Sequence, residues 1–158
     1  MQLRPFEECD VSQVIALIDG VYREHGDVIC LDKADSDLLS VDARYTARGG
    51  AFIVLDDRGA VRGTHAVLPL EEAGVCTFRR LYLARELRGG GWGRRLMQWA
   101  VDWATEAGFQ RVEFWSDTRF TRAHRFFERS GFARDGRVRQ MDDGAAPYAE
   151  YFFSRDLE

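Results

Sequence analysis

The chain has 158 residues, 46% of them hydrophobic, and a formal net charge of −4. That size and composition fit one domain over residues 1–158 with a proper core, and they exclude a disordered chain. The negative charge argues against nonspecific nucleic-acid binding, no apolar run is long enough to cross a bilayer, and Met1–Pro5 lacks signal-peptide character.

Leu3 to Phe6 reads as a short first strand. Asp10 or Ser12 can cap a helix carrying Val14, Ile15, Leu17, Ile18 and Val21, broken at Gly26-Asp27. After a loop, a second helix is expected through Leu38, Leu39 and Tyr45, stopped by Gly49-Gly50. Ala51–Leu55 and Val61–Leu68 form a hairpin around Asp56-Asp57-Arg58-Gly59, and Val75–Leu83 is the next strand. A helix from Arg94 to about Ala107 has polar residues on one side and a broad apolar face for packing on a sheet. Val112–Ser116, a helix through Phe126, and strands near Arg137–Met141 and Tyr148–Ser154 complete an alternating α/β order.

Between the Val75–Leu83 strand and the following helix lies Arg88-Gly89-Gly90-Gly91-Trp92-Gly93-Arg94. Strand, glycine turn and helix start, in that order, make a phosphate cradle. Glycines bring the backbone close to a ligand, and the unpaired N–H groups of the first helical turn point at it. Arg85, Arg88, Arg94 and Arg95 surround the loop with positive charge. No Lys-Ser/Thr follows the last glycine, which excludes a Walker loop, and the dinucleotide fingerprint fails because Arg94 and Leu96 occupy the places of its third glycine. What remains is Arg88-x-x-Gly91-x-Gly93.

Here the chain resembles the GCN5-related N-acetyltransferase (GNAT) family, whose coenzyme A loop reads Gln/Arg-x-x-Gly-x-Gly/Ala. A second segment, Ala123 to Phe132, is similar to the family's Ala-x-x-Phe-Tyr-x-x-x-Gly-Phe signature, with Gly131 ending a short helix. The resemblance is good from roughly Val75 to Phe132 and elsewhere extends only to the order of elements. It implies an α/β fold with a mixed, mostly antiparallel sheet of about six or seven strands, flanked by about four helices, with a splayed parallel strand pair at the cofactor cleft. It implies acetyl coenzyme A as acyl donor, bound by Leu81, Tyr82, Leu83, Arg88, Gly89, Gly90, Gly91, Trp92, Gly93, Arg94, Ala123 and Phe127. By spacing, Leu83 matches the position pairing with the pantetheine arm, and Leu81 the backbone N–H that holds the acetyl oxygen, an effect worth ~3 kcal/mol in other enzymes.

The chain departs from the family in its proton chemistry. Phe127 occupies the place of the usual tyrosine acid and has no hydroxyl. His124, one turn earlier on nearly the same face, is the first candidate for a replacement acid or a cofactor contact; Tyr82, Tyr148 and Tyr151 are further hydroxyl donors. Some relatives place a glutamate on the strand before the loop; that position is Thr77, which cannot act as a base. Asp117, Glu113 and His65 are candidates, and Asp117 reads equally as a helix cap. Glu24, Asp27, Asp32, Asp35 and Asp37 either draw a cationic amine or form a solvated acidic surface.

Cys9, Cys30 and Cys76 have no metal-ligand spacing and read as free thiols of a cytoplasmic protein without a metal. The functional expectation is an N-acetyltransferase acting on a small molecule, amino acid or peptide amine in a ternary complex. The alternative is a noncatalytic acyl coenzyme A-binding or sensor module. A homodimer is possible, and neither nucleic acid nor membrane is an expected partner.

Overall fold

The computed structural model describes residues 1–158. Its elements run β1 (Gln2–Pro5), α1 (Val11–Arg23), α2 (Val41–Arg44), β2 (Ala51–Asp57), β3 (Ala60–Pro69), β4 (Val75–Leu83), α3 (Trp92–Glu106), β5 (Arg111–Asp117), α4 (Thr121–Arg129), β6 (Ala133–Met141) and β7 (Tyr148–Asp156). All seven strands join one sheet in the order β1-β2-β3-β4-β5-β7-β6. Neighbours are antiparallel except β4 and β5, as expected for the mixed sheet with four helices.

The parallel pair positions the site. Its register covers only Val75 with Arg111 and Cys76 with Val112, at the start of both strands. Beyond Cys76 the two strands part, and a cleft opens in the middle of the sheet.

Alternation along the strands builds two cores. On β3, Ala66 and Leu68 face a cluster with Val14 and Ile18 of α1 and Val41 of α2. Val67 between them faces the other cluster, with Met97 and Ala100 of α3 and Phe127 of α4. The helices therefore cover opposite faces. At the β2–β3 hairpin, Arg58 and Gly59 both have positive φ, 53° and 91°, which matches the strand twist in a two-residue turn.

The second helix differs from expectation. The stretch breaks into 3-10 turns at Ser36–Leu39 and Thr46–Arg48 around the four-residue α2, with Ser40 in an extended φ of −148°. Asp37 is the reason. Its carboxylate is 1% exposed and turns inward to Arg80 and the Tyr45 hydroxyl, which a regular amphipathic helix here would not allow. Asp10 likewise does not cap α1 through its side chain; it takes both terminal nitrogens of Arg4 and the Glu7 N–H. Strand β6 begins earlier than expected because it is an exposed edge without an apolar stripe, and its register shifts between Arg134 and Val138.

His65 on β3 sits inside the sheet at 1% exposure, against Phe78 and Trp99. Its Nδ1 lies 3.1 Å from the Leu96 carbonyl, which can only accept, so Nδ1 carries the proton. Burial pushes its pKa down to about 4 from an ordinary 6.5. The unfolded chain therefore takes up this proton below pH 6.5 while the native chain refuses it until about pH 4, so stability falls as pH drops through that window. Relative to His65→Gln, the wild type should lose about 3 kcal/mol across it. Urea unfolding of both proteins at about pH 7 and about pH 4.5 checks this; parallel losses in the two proteins would show that His65 does not carry the effect.

Candidate active site

The glycine loop joins β4 to α3. Gly91 is the N-cap of α3, with φ 89°, and no side chain caps the helix. In the loop, Gly90 N–H donates to the Leu87 carbonyl at 3.4 Å, and Arg95 N–H donates to the Gly91 carbonyl at 3.2 Å. The N–H groups of Gly89, Gly91, Gly93 and Arg94 find no acceptor within the chain. They point from the positive end of α3, a site suited to an anion.

These residues line a cavity of about 560 Å³ with Leu81, Tyr82, Leu83 and Arg88. Arg94, Arg122 and Arg129 add charge, and no carboxylate lines it. Arg88 lines it but is already held: its Nε donates to the Leu83 carbonyl at 3.1 Å, and its two terminal nitrogens clasp Glu24 at 2.6 and 2.9 Å. It ties the end of α1 to the loop, leaving the other three arginines to face a ligand. Gly90 and Trp92 do not line this cavity; Trp92 packs under the Arg95 guanidinium, 4.5 Å from its ring centre. Sequence reasoning missed His25, Phe120, Arg122 and Arg129. The last two lie seven residues apart on α4, on the face that carries Phe126 toward the cavity, a pattern that α4's periodicity already contained.

A second cavity of about 430 Å³ opens on the other side of the same gap. Leu81, Tyr82, Phe120 and Ala123 line both. At this junction β4 carries a bulge. Thr64 pairs with Tyr82 and Ala66 with Arg79, so Arg80 and Leu81 together oppose His65. Arg80 has φ 60°, an unusual value outside glycine, and its carbonyl accepts the Thr64 hydroxyl at 2.7 Å. The bulge re-aims the chain at Leu81, where the two cavities meet.

The Arg80 side chain holds that geometry. It donates to both oxygens of Asp37, to Asp35 at 2.9 Å, to the Tyr22 hydroxyl at 3.1 Å and to the Ala34 carbonyl at 3.2 Å. Burial by itself would raise the Asp37 pKa, but the Arg80 charge and hydrogen bonds bring it below the ordinary carboxylate range. The acidic stretch around α1 and α2 is thus a set of anchors rather than a free negative field. Glu24 holds Arg88, Asp27 holds Arg119, and Asp35 and Asp37 hold Arg80.

The remaining candidates separate. Asp117 gives both oxygens to Arg119, at 2.9 and 2.6 Å, and does not stand free as a base. Glu113 pairs with Arg111 away from either cavity. Tyr148 lines the second cavity and donates to Asp143 at 2.6 Å, whereas Tyr151 packs on His124. Phe127 lines the second cavity. His124 lines neither, being 4% exposed against Phe127, Tyr151 and Phe153. Its Nε2 lies 3.1 Å from Ser116 Oγ, and Ser116 does line the second cavity. Burial, then the Arg134 charge, lower the His124 pKa, so the ring is neutral at pH 7 and resists taking up a second proton. Cys76 is a core residue whose thiol burial pushes up to about 12.

The splayed parallel strand pair and the glycine turn between β4 and α3 are those that the resemblance implies, and sequence and structure comparisons agree. The model of the acetyltransferase (GNAT) family matches residues 19–132, and the chain belongs to that family. It is 29% identical over 129 residues to YjgM of Escherichia coli (strain K12), described as an uncharacterized N-acetyltransferase, covering 78% of this chain and 76% of that one. In fold it is similar to a GNAT-family acetyltransferase of Staphylococcus aureus Mu50, with TM-score 0.86 at 17% identity over 99% of both chains. It is also similar to a ribosomal-protein-alanine N-acetyltransferase of Brucella melitensis, with TM-score 0.76 at 17% identity, covering 99% of this chain and 100% of that one.

Proposed function

We propose that the protein moves an acetyl group from acetyl coenzyme A to an amine, by direct attack in a ternary complex. The observation that carries this reading is the pair of cavities meeting at Leu81. One is lined by arginines without a carboxylate and suits a polyanionic cofactor; the other is open to a second substrate. The diphosphate takes the free N–H groups of Gly89, Gly91, Gly93 and Arg94. The pantetheine arm runs along the β4 edge at Leu83, which brings the thioester to Leu81.

The amine nitrogen then attacks the thioester carbonyl. Charge builds on the carbonyl oxygen, and in this reading the Leu81 N–H holds it. The tetrahedral carbon collapses, the C–S bond breaks, and an amide and a thiolate remain. The amine's proton must end on that sulfur or in solvent. With Phe127 lacking a hydroxyl, Ser116 is the cavity hydroxyl backed by an imidazole, with His124 Nε2 3.1 Å from its Oγ. Asp117 supports the site by fixing Arg119, and His124 acts through Ser116.

Release of free thiol from acetyl coenzyme A, with and without a panel of amines, tests the reading. Amine-dependent release is expected. Folded protein that binds the cofactor and releases no thiol with any amine would instead favour a noncatalytic acyl coenzyme A-binding module, a reading to which Phe127 lends some weight. Ser116→Ala is expected to lower kcat about 10²-fold with little change in cofactor affinity. An unchanged kcat across pH would remove Ser116 and His124 from the proton path.

A further inference from the structure

The second cavity neutralises most of its own charge. Asp27 and Asp117 are both held by Arg119, Asp35 by Arg80, and Glu150 by Arg139. Two lining charges are left without an ionic partner, one of each sign. The Arg79 side chain makes no hydrogen bond or ion pair in the chain, and the residue is half-buried in the cavity wall. The carboxylate of Asp143, also half-buried, accepts only the Tyr148 hydroxyl.

Arg79 is not alone on its face. Thr77 lies two residues earlier on β4, so both side chains stand on the same side of the strand, and both line the cavity. The Thr77 hydroxyl has no partner in the chain either. A planar fork of N–H donors beside a free hydroxyl is a carboxylate receptor. Asp143 sits on the turn between β6 and β7, whose backbone is tied across the cavity by the Ala34 N–H to the Asp143 carbonyl at 3.0 Å. A cation and an anion that both lack a contacting ionic partner, lining one cavity, match a small zwitterion.

We infer that the acceptor is a free amino acid or a close analogue: a molecule carrying a carboxylate together with the reacting amine. Arg79 and Thr77 hold the carboxylate, and Asp143 draws the charged amine into the cavity before it loses its proton. This rests on the acetyltransferase reading and narrows its acceptor. A simple polyamine meets Arg79 as a repulsive charge, and a carboxamide leaves the Arg79 fork without its counter-ion.

The test uses the full chain, acetyl coenzyme A, the common L-amino acids and the carboxamide of each active one. Thiol release should favour the acid over its carboxamide by about 10- to 100-fold in kcat/KM, the worth of a charged hydrogen-bonded contact. Arg79→Met should bring the acid down to the level of its carboxamide, mostly through KM, while coenzyme A affinity holds. Carboxamides or simple amines that match the acids, or an Arg79→Met enzyme that keeps the preference, would overturn the inference. Calorimetry of the same amino acids with the protein–coenzyme A complex separates this from the parent reading. Carboxylate-selective binding, lost in Arg79→Met, without thiol release upholds the site and defeats the transfer reading. Thiol release indifferent to the carboxylate does the reverse.

Discussion

Gly91→Asp should reduce coenzyme A affinity by at least about 10²-fold while the protein stays folded. Gly91 is the N-cap of α3 at φ 89°, and a Cβ built there meets no atom within 4 Å. The substitution therefore creates no clash. It does place a carboxylate among the free N–H groups of the loop, where it both satisfies them and repels a diphosphate. Gly91→Ala is the control. It shares the backbone cost of a side chain at positive φ, about 1–2 kcal/mol, without the charge. Calorimetry should show the alanine variant near wild type and the aspartate variant with little binding, with both melting cooperatively. If aspartate and alanine bind equally well, the diphosphate does not rest on this turn.

Arg80→Met should be the most destabilising single change near the site. The guanidinium is 6% exposed, and its partners Asp35 and Asp37 are 2% and 1% exposed. Removing the cation strands two carboxylates inside the protein, which typically costs about 3–5 kcal/mol. For a chain of this length that is a fall of roughly 10 °C in melting temperature. The loss has a sign in pH. In the wild type, Asp37 is held below the ordinary carboxylate range, so the network contributes fully at neutral pH and fades in acid. In the variant, a proton on Asp37 removes the stranded charge, so the gap between the two proteins should narrow as pH falls. Arg80→Lys should recover only part, because one ammonium cannot fork between two carboxylates. Equal stability of wild type and Arg80→Met at pH 7 would mean that the network does not hold the cavity wall.

The glycine-loop side of the cleft was legible in the sequence because its signals are local. The β4 strand, the glycine turn and the start of α3 follow one another within about twenty residues, and the range Val75–Leu83 appears in the structure unchanged. The missing hydroxyl at Phe127 was likewise visible. The second cavity was not. Its wall depends on Arg80 meeting Asp35 and Asp37 across 45 and 43 residues, and no periodicity reports such a pairing. The same contact breaks the second helix that apolar spacing around Leu38 and Tyr45 suggests. His124 shows the opposite limit. Its place on α4 was readable, but its burial came from β7, through Tyr151 and Phe153, so its link to Ser116 emerged only once the strands were placed.

A crystal structure with bound acetyl coenzyme A tests the central claim most directly. The diphosphate should lie within hydrogen-bonding reach of the Gly89, Gly91 and Gly93 amides, and the acetyl oxygen should face the Leu81 N–H at the mouth of the second cavity. A cofactor seated elsewhere, or one whose acetyl group turns away from Leu81, would contradict it.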